Sequence, residues 1–186
     1  MIVAAVILGI VVIVGLYLMV FYNGLVRGRN LVEEAWSGIS VQLKRRHDLI
    51  PALVNIVKGY ATHETEVLRQ ITEARAQAIH ASPGNVEAVM KAENGLSQAL
   101  RSLFAVAENY PQLNASENFL QLQEQLAALE DEIQLARRYY NGTARDQNDH
   151  VLQFPGNLVA GSFGFGKVTF FELDNEAERA VPEVKF

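Results

Sequence analysis

The sequence predicts an all-α protein, an N-terminal transmembrane helix followed by an antiparallel up-and-down four-helix bundle, on three observations. Ile2 to Tyr22 is a run of 21 residues without a charge. Beyond it, apolar residues recur in steps of three and four almost to residue 152, the period of a helix with one buried face. That pattern breaks at three stretches built of turn-forming residues or proline, which cut it into four segments.

As a helix, Ile2–Tyr22 spans about 32 Å, enough for a hydrocarbon core of about 30 Å. No Lys or Arg precedes Arg27 and the apolar run is too long for a signal peptide, so an uncleaved anchor is expected. Phe21 and Tyr22 suit the interfacial aromatic belt. Arg27 and Arg29 follow the helix at once, with Lys44, Arg45 and Arg46 further on. The positive-inside tendency therefore places the N-terminus outside and the bundle in the cytoplasm, at the cell membrane.

The breaks are His47-Asp48-Leu49-Ile50-Pro51, Ser82-Pro83-Gly84-Asn85 and Tyr110-Pro111-Gln112-Leu113-Asn114. Proline removes a backbone donor and disfavours helix at the residue before it, and the second stretch is a turn by composition. Segment A carries the seam Val32, Trp36, Ile39, Leu43 and Arg46; segment B runs Leu53, Val57, Tyr60, Glu64, Val67, Ile71, Ala74 and Ala78. Segment C gives Val86, Val89, Glu93, Leu96, Leu100, Leu103 and Ala107, and segment D gives Phe119, Leu122, Leu126, Leu129, Ile133, Ala136 and Tyr140. A continuous helix over residues 25–81 would be about 85 Å long, and segment C, at about 37 Å, would not cover it. A fold-back at Pro51 equalises the lengths and gives the four-helix bundle; the alternative is a three-helix bundle with a long first helix kinked at Pro51. In the four-helix version the end of segment D returns to the membrane.

The chain divides accordingly into an anchor at 1–24, a helical bundle at 25–153, a Gly/Phe-rich segment at 154–171 and an acidic tail at 172–186. The third part holds four glycines, five phenylalanines and one charge, and is expected to be irregular and to bury its apolar area against something.

Composition excludes several chemistries. A net charge of −5 argues against nucleic acid as a partner, and the lack of cysteine removes disulfides, thiolate nucleophiles and Cys-ligated zinc. Gly161-x-x-x-x-Gly166-Lys167 has the spacing of a phosphate-binding loop, but Val168 stands where a hydroxyl would hold magnesium. His63-Glu64 begins a zinc-protease pattern whose second ligand position is Val67, and no His has a Glu three residues before it, as di-iron bundles require. Arg46, Glu64 and Glu93 occupy seam positions, where a charge must be paired or reach solvent; the simpler reading is a register device. Glu130-Asp131-Glu132 reads as a solvated face, Lys44-Arg45-Arg46 as a solvated basic turn, and Trp36 as core.

Taken whole, the sequence resembles the LemA family. The resemblance rests on Tyr22-Asn23, Arg29-Asn30, Glu34-Ala35-Trp36-Ser37, Val41-Gln42-Leu43-Lys44-Arg45-Arg46 and Asp48-Leu49-Ile50-Pro51. Val57-Lys58-Gly59-Tyr60-Ala61 and His63-Glu64 continue it. Arg137-Arg138-Tyr139-Tyr140-Asn141, Asn148, Phe154-Pro155, Asn157-Leu158, Ala160-Gly161 and Phe163-Gly164-Phe165 follow, and Val181-Pro182 and Phe186 close the chain. Gln147 departs from the pattern, which usually has an aromatic there. The resemblance implies a helical bundle on an N-terminal membrane helix with a short exterior N-terminus, and no settled biochemical activity.

The expected function is that of a membrane-anchored interaction or scaffold module without enzymatic activity, cofactor or metal. Its partners would be membrane lipid, through the N-terminal helix, and a protein. Candidate contact residues are Phe154, Pro155, Phe163, Phe165, Phe170 and Phe171. One alternative is a nucleotide-binding protein or enzyme using Gly161–Lys167; another is a second, monotopic membrane contact at 154–171.

Overall fold

The computed structural model describes residues 1–82 and 84–172. Pro83 and the acidic tail beyond Glu172, with the family-like ending Val181-Pro182 and Phe186, lie outside the described residues. The described residues are all-helical: α1 Ile2–Tyr60, α2 Thr65–His80, α3 Val86–Ala107, α4 Pro111–Asn114, α5 Glu117–Leu152 and α6 Gly156–Phe163. They form two compact units, one of Met1–Ser40 with Leu135–Phe170, the other of Val41–Gln134 with Phe171 and Glu172.

The helix does not break at Pro51. α1 is 59 residues long and carries Pro51 in its interior. A proline there deprives the carbonyl four residues earlier, His47, of its helical donor. Arg75 of α2 supplies a replacement, its Nε donating to the His47 carbonyl at 2.8 Å. The reversal comes instead at residues 61–64, where Ala61 is buried, its N–H donating to Val57, and Glu64 accepts from the Tyr110 hydroxyl at 2.8 Å.

The second unit nevertheless is built of four helical stretches around one core: the last part of α1, α2, α3 and the first part of α5. Leu53, Val57, Ile71, Leu96, Leu103 and Phe119 are at its centre. The long first helix is thus the feature of the alternative arrangement, and the four-stretch core that of the preferred one. Short connections force successive helices to run antiparallel. Asn85 caps α3, its side chain accepting from the Ala88 N–H at 3.0 Å. Arg46 lies 14 residues before the end of α1, Glu93 14 before the end of α3, and Glu130 13 after the start of α5, which brings all three to one level.

In the first unit α1 pairs with the later part of α5. Trp36 meets Tyr140 at 5.4 Å between ring centroids and Phe21 meets His150 at 6.3 Å, so position rises along α5 as it falls along α1, and the pair is antiparallel. The end of segment D does come back beside Phe21, by virtue of a 36-residue α5 rather than a fold-back at Pro51. Trp36 is half-buried rather than core; Val32, Ala35 and Ile39 are buried on its helix. The opening stretch of α1 is long and apolar enough to cross a membrane, with a mean hydropathy of 3.0 over 18 residues, none of them buried.

The Gly/Phe segment, expected from its glycines to be irregular, is not so throughout: Gly156–Phe163 is a helix, α6, entered through a cis Phe154–Pro155 bond. Gly164, at φ 74°, ends the helix in the left-handed conformation that glycine adopts without a steric penalty.

Candidate functional site

Two places concentrate chemistry, one in each unit. In the second unit Arg46 is 1% exposed and its guanidinium is bonded to the Glu93 carboxylate, also 1% exposed. Its Nη1 donates to Glu130 at 3.0 Å and to the Ser97 hydroxyl at 3.3 Å. The other Glu93 oxygen is 2.7 Å from His47 Nε2. Burial by itself pushes the Glu93 carboxyl up, but the His47 hydrogen bond and the Arg46 and His47 charges outweigh it and hold the group below its usual value. Arg46 Nε is left without an acceptor.

Seam periodicity brought out Arg46 and Glu93 but not their partners. The Lys44-Arg45-Arg46 triplet is helical, not a turn, and is split: Lys44 pairs with Asp48 at 2.9 Å on the surface while Arg46 turns inward. Glu130 does stand at a solvated face, its side chain 43% exposed, but it reaches in to Arg46, and its position, four after Leu126 and three before Ile133, was the signal. His47 was hidden by the expectation of a break at Pro51. Glu64 stands apart from this cluster, on Tyr110, whose hydroxyl is pushed up by that hydrogen bond. Among the described residues no three His, Asp or Glu side chains converge as a metal site.

In the first unit α6 lies against α1 at Phe21–Leu25. Leu25, Val151, Val159 and Ala160 are buried together, with Phe21 and Phe165 packed on them. Gly156 is required there, since a Cβ would come within 2.2 Å of Phe21 Cζ and 2.6 Å of the His150 carbonyl oxygen. Tyr22 meets Phe163 at 4.9 Å and Phe165 at 5.9 Å, and the Arg29 guanidinium sits 5.5 Å from the Phe165 ring centre. The following extended stretch is strapped to α5. Asn148 donates to the Val168 carbonyl at 2.9 Å and accepts from its N–H at 2.7 Å, and the Tyr140 hydroxyl donates to Thr169 at 2.8 Å. Burial raises the Tyr140 hydroxyl above its usual value.

The six candidate contact residues therefore divide. Phe154 is 79% exposed and Phe163 61%. Pro155 and Phe165 are half-buried, Phe170 is only just exposed, and Phe171 is fully buried in the second unit, so it is core rather than contact. The phosphate-loop alternative lacks its geometry. Such a loop runs from a strand into a helix; here Gly161 is within α6, no helix follows Lys167 through Glu172, and the Val168 N–H is taken by Asn148. At the departure position, Gln147 is 2% exposed, its Oε1 has no donor, and it presses on Gly28, where a Cβ would lie 2.1 Å away.

An all-helical chain whose first helix opens with an exposed apolar stretch long enough to cross a membrane defines a membrane-associated helical protein. A model of the LemA family matches residues 35–186, and the chain belongs to that family. Protein LemA of Metamycoplasma hominis is 30% identical over 178 residues, covering 93% of this chain and 80% of that protein. Magnetosome protein MamQ 2 of Paramagnetospirillum magneticum is 25% identical over 179 residues, covering 83% of this chain and 66% of that protein. MamQ of Magnetospirillum gryphiswaldense is 24% identical, covering 83% and 65%. The chain thus spans about two thirds of the length of these magnetosome relatives.

Proposed function

We propose that the protein is a single-pass membrane module without enzymatic activity, held by α1 with its N-terminus outside and its helices in the cytoplasm, where it serves as a scaffold for another protein. The observation that carries this reading is α1 itself: an exposed apolar stretch continues, without a break, into residues that line two helical cores. The groups that would do chemistry are engaged with one another. The buried Arg46–Glu93 pair bonds to His47, Ser97 and Glu130, with only Arg46 Nε left over, which suits a register device in the bundle. The relatives carry different names, one of them that of a magnetosome protein, which fits a shared helical module serving different assemblies.

Photo-cross-linking in intact membranes tests the scaffold role. A photoreactive residue placed in turn at exposed Leu120, Leu135 and Tyr139 is expected to give a discrete adduct with another protein at one position at least. Uncross-linked chain at all three positions would contradict the reading.

A further inference from the structure

We propose that α6 is a second, non-spanning membrane contact, lying in the bilayer interface beside the exit of α1 with Leu152, Phe154, Leu158 and Phe163 against lipid. The inference rests on the reading of α1 as a membrane helix and deepens it. Three observations point to the bilayer as the occupant of this surface.

The first is continuity. α6 is fixed to the last turns of the apolar run, with Gly156 under Phe21 and Phe163 against Tyr22. If residues 2–22 cross the hydrocarbon core, whatever is packed on Phe21 and Tyr22 sits at headgroup level, a layer of about 5–7 Å on each side of that core. The second is the chemistry of the exposed face. Val159 and Ala160 turn inward, yet the large outward side chains are apolar too, Leu158 being 62% exposed, Phe163 61%, Phe154 79% and Leu152 50%, and the polar ones among them, Asn157 and Ser162, are small and uncharged. A water-facing helix normally shows a charged face opposite its buried stripe, and α6 shows none. From Val151 to Gly166 there is no charged residue at all. The third is rigidity. The strap beyond α6 is clamped by both polar atoms of Asn148 on Val168, so the apolar face is presented rather than free to fold away. Because the run is uncharged, the contact is apolar burial at the interface, where Phe is at home, and not attraction to anionic headgroups.

Depth-resolved fluorescence quenching tests this in the full chain reconstituted into phosphatidylcholine vesicles brominated either near the carbonyls or deep in the acyl chains. Trp36 is the only tryptophan, so a Trp36→Phe background leaves one introduced indole as the sole reporter. Phe154→Trp, Leu158→Trp and Phe163→Trp are expected to lose emission most to the shallow bromines, to the same extent in high salt. Val12→Trp is expected to lose most to the deep ones. Phe154 is so exposed that its replacement disturbs no packing, which keeps the test open if another variant misfolds. Quenching of Val12→Trp with none at the three α6 positions would overturn this inference and leave the anchor standing. Absence of quenching at Val12→Trp would overturn the anchor, and this inference with it. A blue-shifted, unquenched emission at α6 that varies with protein density would also overturn it, assigning the surface to a second copy of the chain.

Discussion

The first unit carries apolar side chains on its outside, at Phe154, Leu158 and Phe163, whereas the second carries charge on its inside, at Arg46 and Glu93. Either arrangement is unfavourable in water and each is relieved differently. The second unit relieves its buried charge from within, through Ser97, Glu130 and His47. Among the described residues nothing covers the outer face of α6, and on the inference above its relief comes from the bilayer. The difference teaches which part of the molecule is complete by itself and which is built to meet a second phase. It also tells where a substitution should act on folding and where on attachment.

The largest effect is expected from breaking the interior pair on one side. Glu93→Leu takes from the buried Arg46 guanidinium its one buried carboxylate and leaves it only Ser97 and the half-exposed Glu130, which should lower unfolding stability by about 3 kcal/mol, read by denaturant titration of the purified chain. Arg46→Met added to Glu93→Leu should restore much of the loss, since a buried pair replaced on both sides is often neutral. An equally large deficit in the double variant would show that the cluster does more than satisfy itself.

In the first unit Gly156→Ala drives a Cβ into Phe21 and the His150 carbonyl. It should destabilise the α6 contact by about 1–3 kcal/mol and release residues 154–170 to proteolysis while leaving the second unit intact. Uniform proteolysis of both units would break the comparison.

Arg75→Leu leaves the His47 carbonyl without a donor and should cost about 1–3 kcal/mol. Pro51→Ala restores the helical donor, so Arg75→Leu should cost clearly less in that background. Additive effects in this cycle would refute the account of why α1 passes through its proline.

A smaller effect follows from Glu93, whose folded value lies below its ordinary 4.5. A carboxylate depressed by folding contributes stability fully above its unfolded value and loses it as the pH falls through the folded value. The chain should therefore lose stability below about pH 4.5 more steeply than Glu93→Gln does, as measured by unfolding at a series of pH values. Least of all, Gln147→Met removes an orphaned acceptor and should be neutral or stabilising by up to about 1 kcal/mol.

Much of this was legible in the sequence, for identifiable reasons. Segments C and D read well because their seams are local: Val89, Glu93, Leu96, Leu100 and Leu103 are all buried, as are Phe119, Leu126, Ile133 and Tyr140. Pro51 misled because the group that lets the helix continue, Arg75, is on another helix, and propensity knows nothing of tertiary donors. The same applies to Tyr60, which periodicity put in the core and which is 45% exposed at the end of α1. In the Gly/Phe segment the apolar content was evident, but the helix was not, because its stability comes largely from Phe21 and Leu25, far away in the chain. Glu130 was read as solvated from its acidic neighbours, although its spacing from Leu126 and Ile133 placed it on the seam.

The most direct test of the central claim is thiol labelling with a membrane-impermeant reagent on intact cells, clean because the chain has no cysteine. Ile2→Cys, Ser82→Cys and Asn114→Cys all fall at exposed positions. The account predicts that Ile2→Cys labels in intact cells while the other two label only after lysis. Labelling of all three on the same side would contradict a membrane-crossing α1, and the reverse pattern would contradict a cytoplasmic bundle.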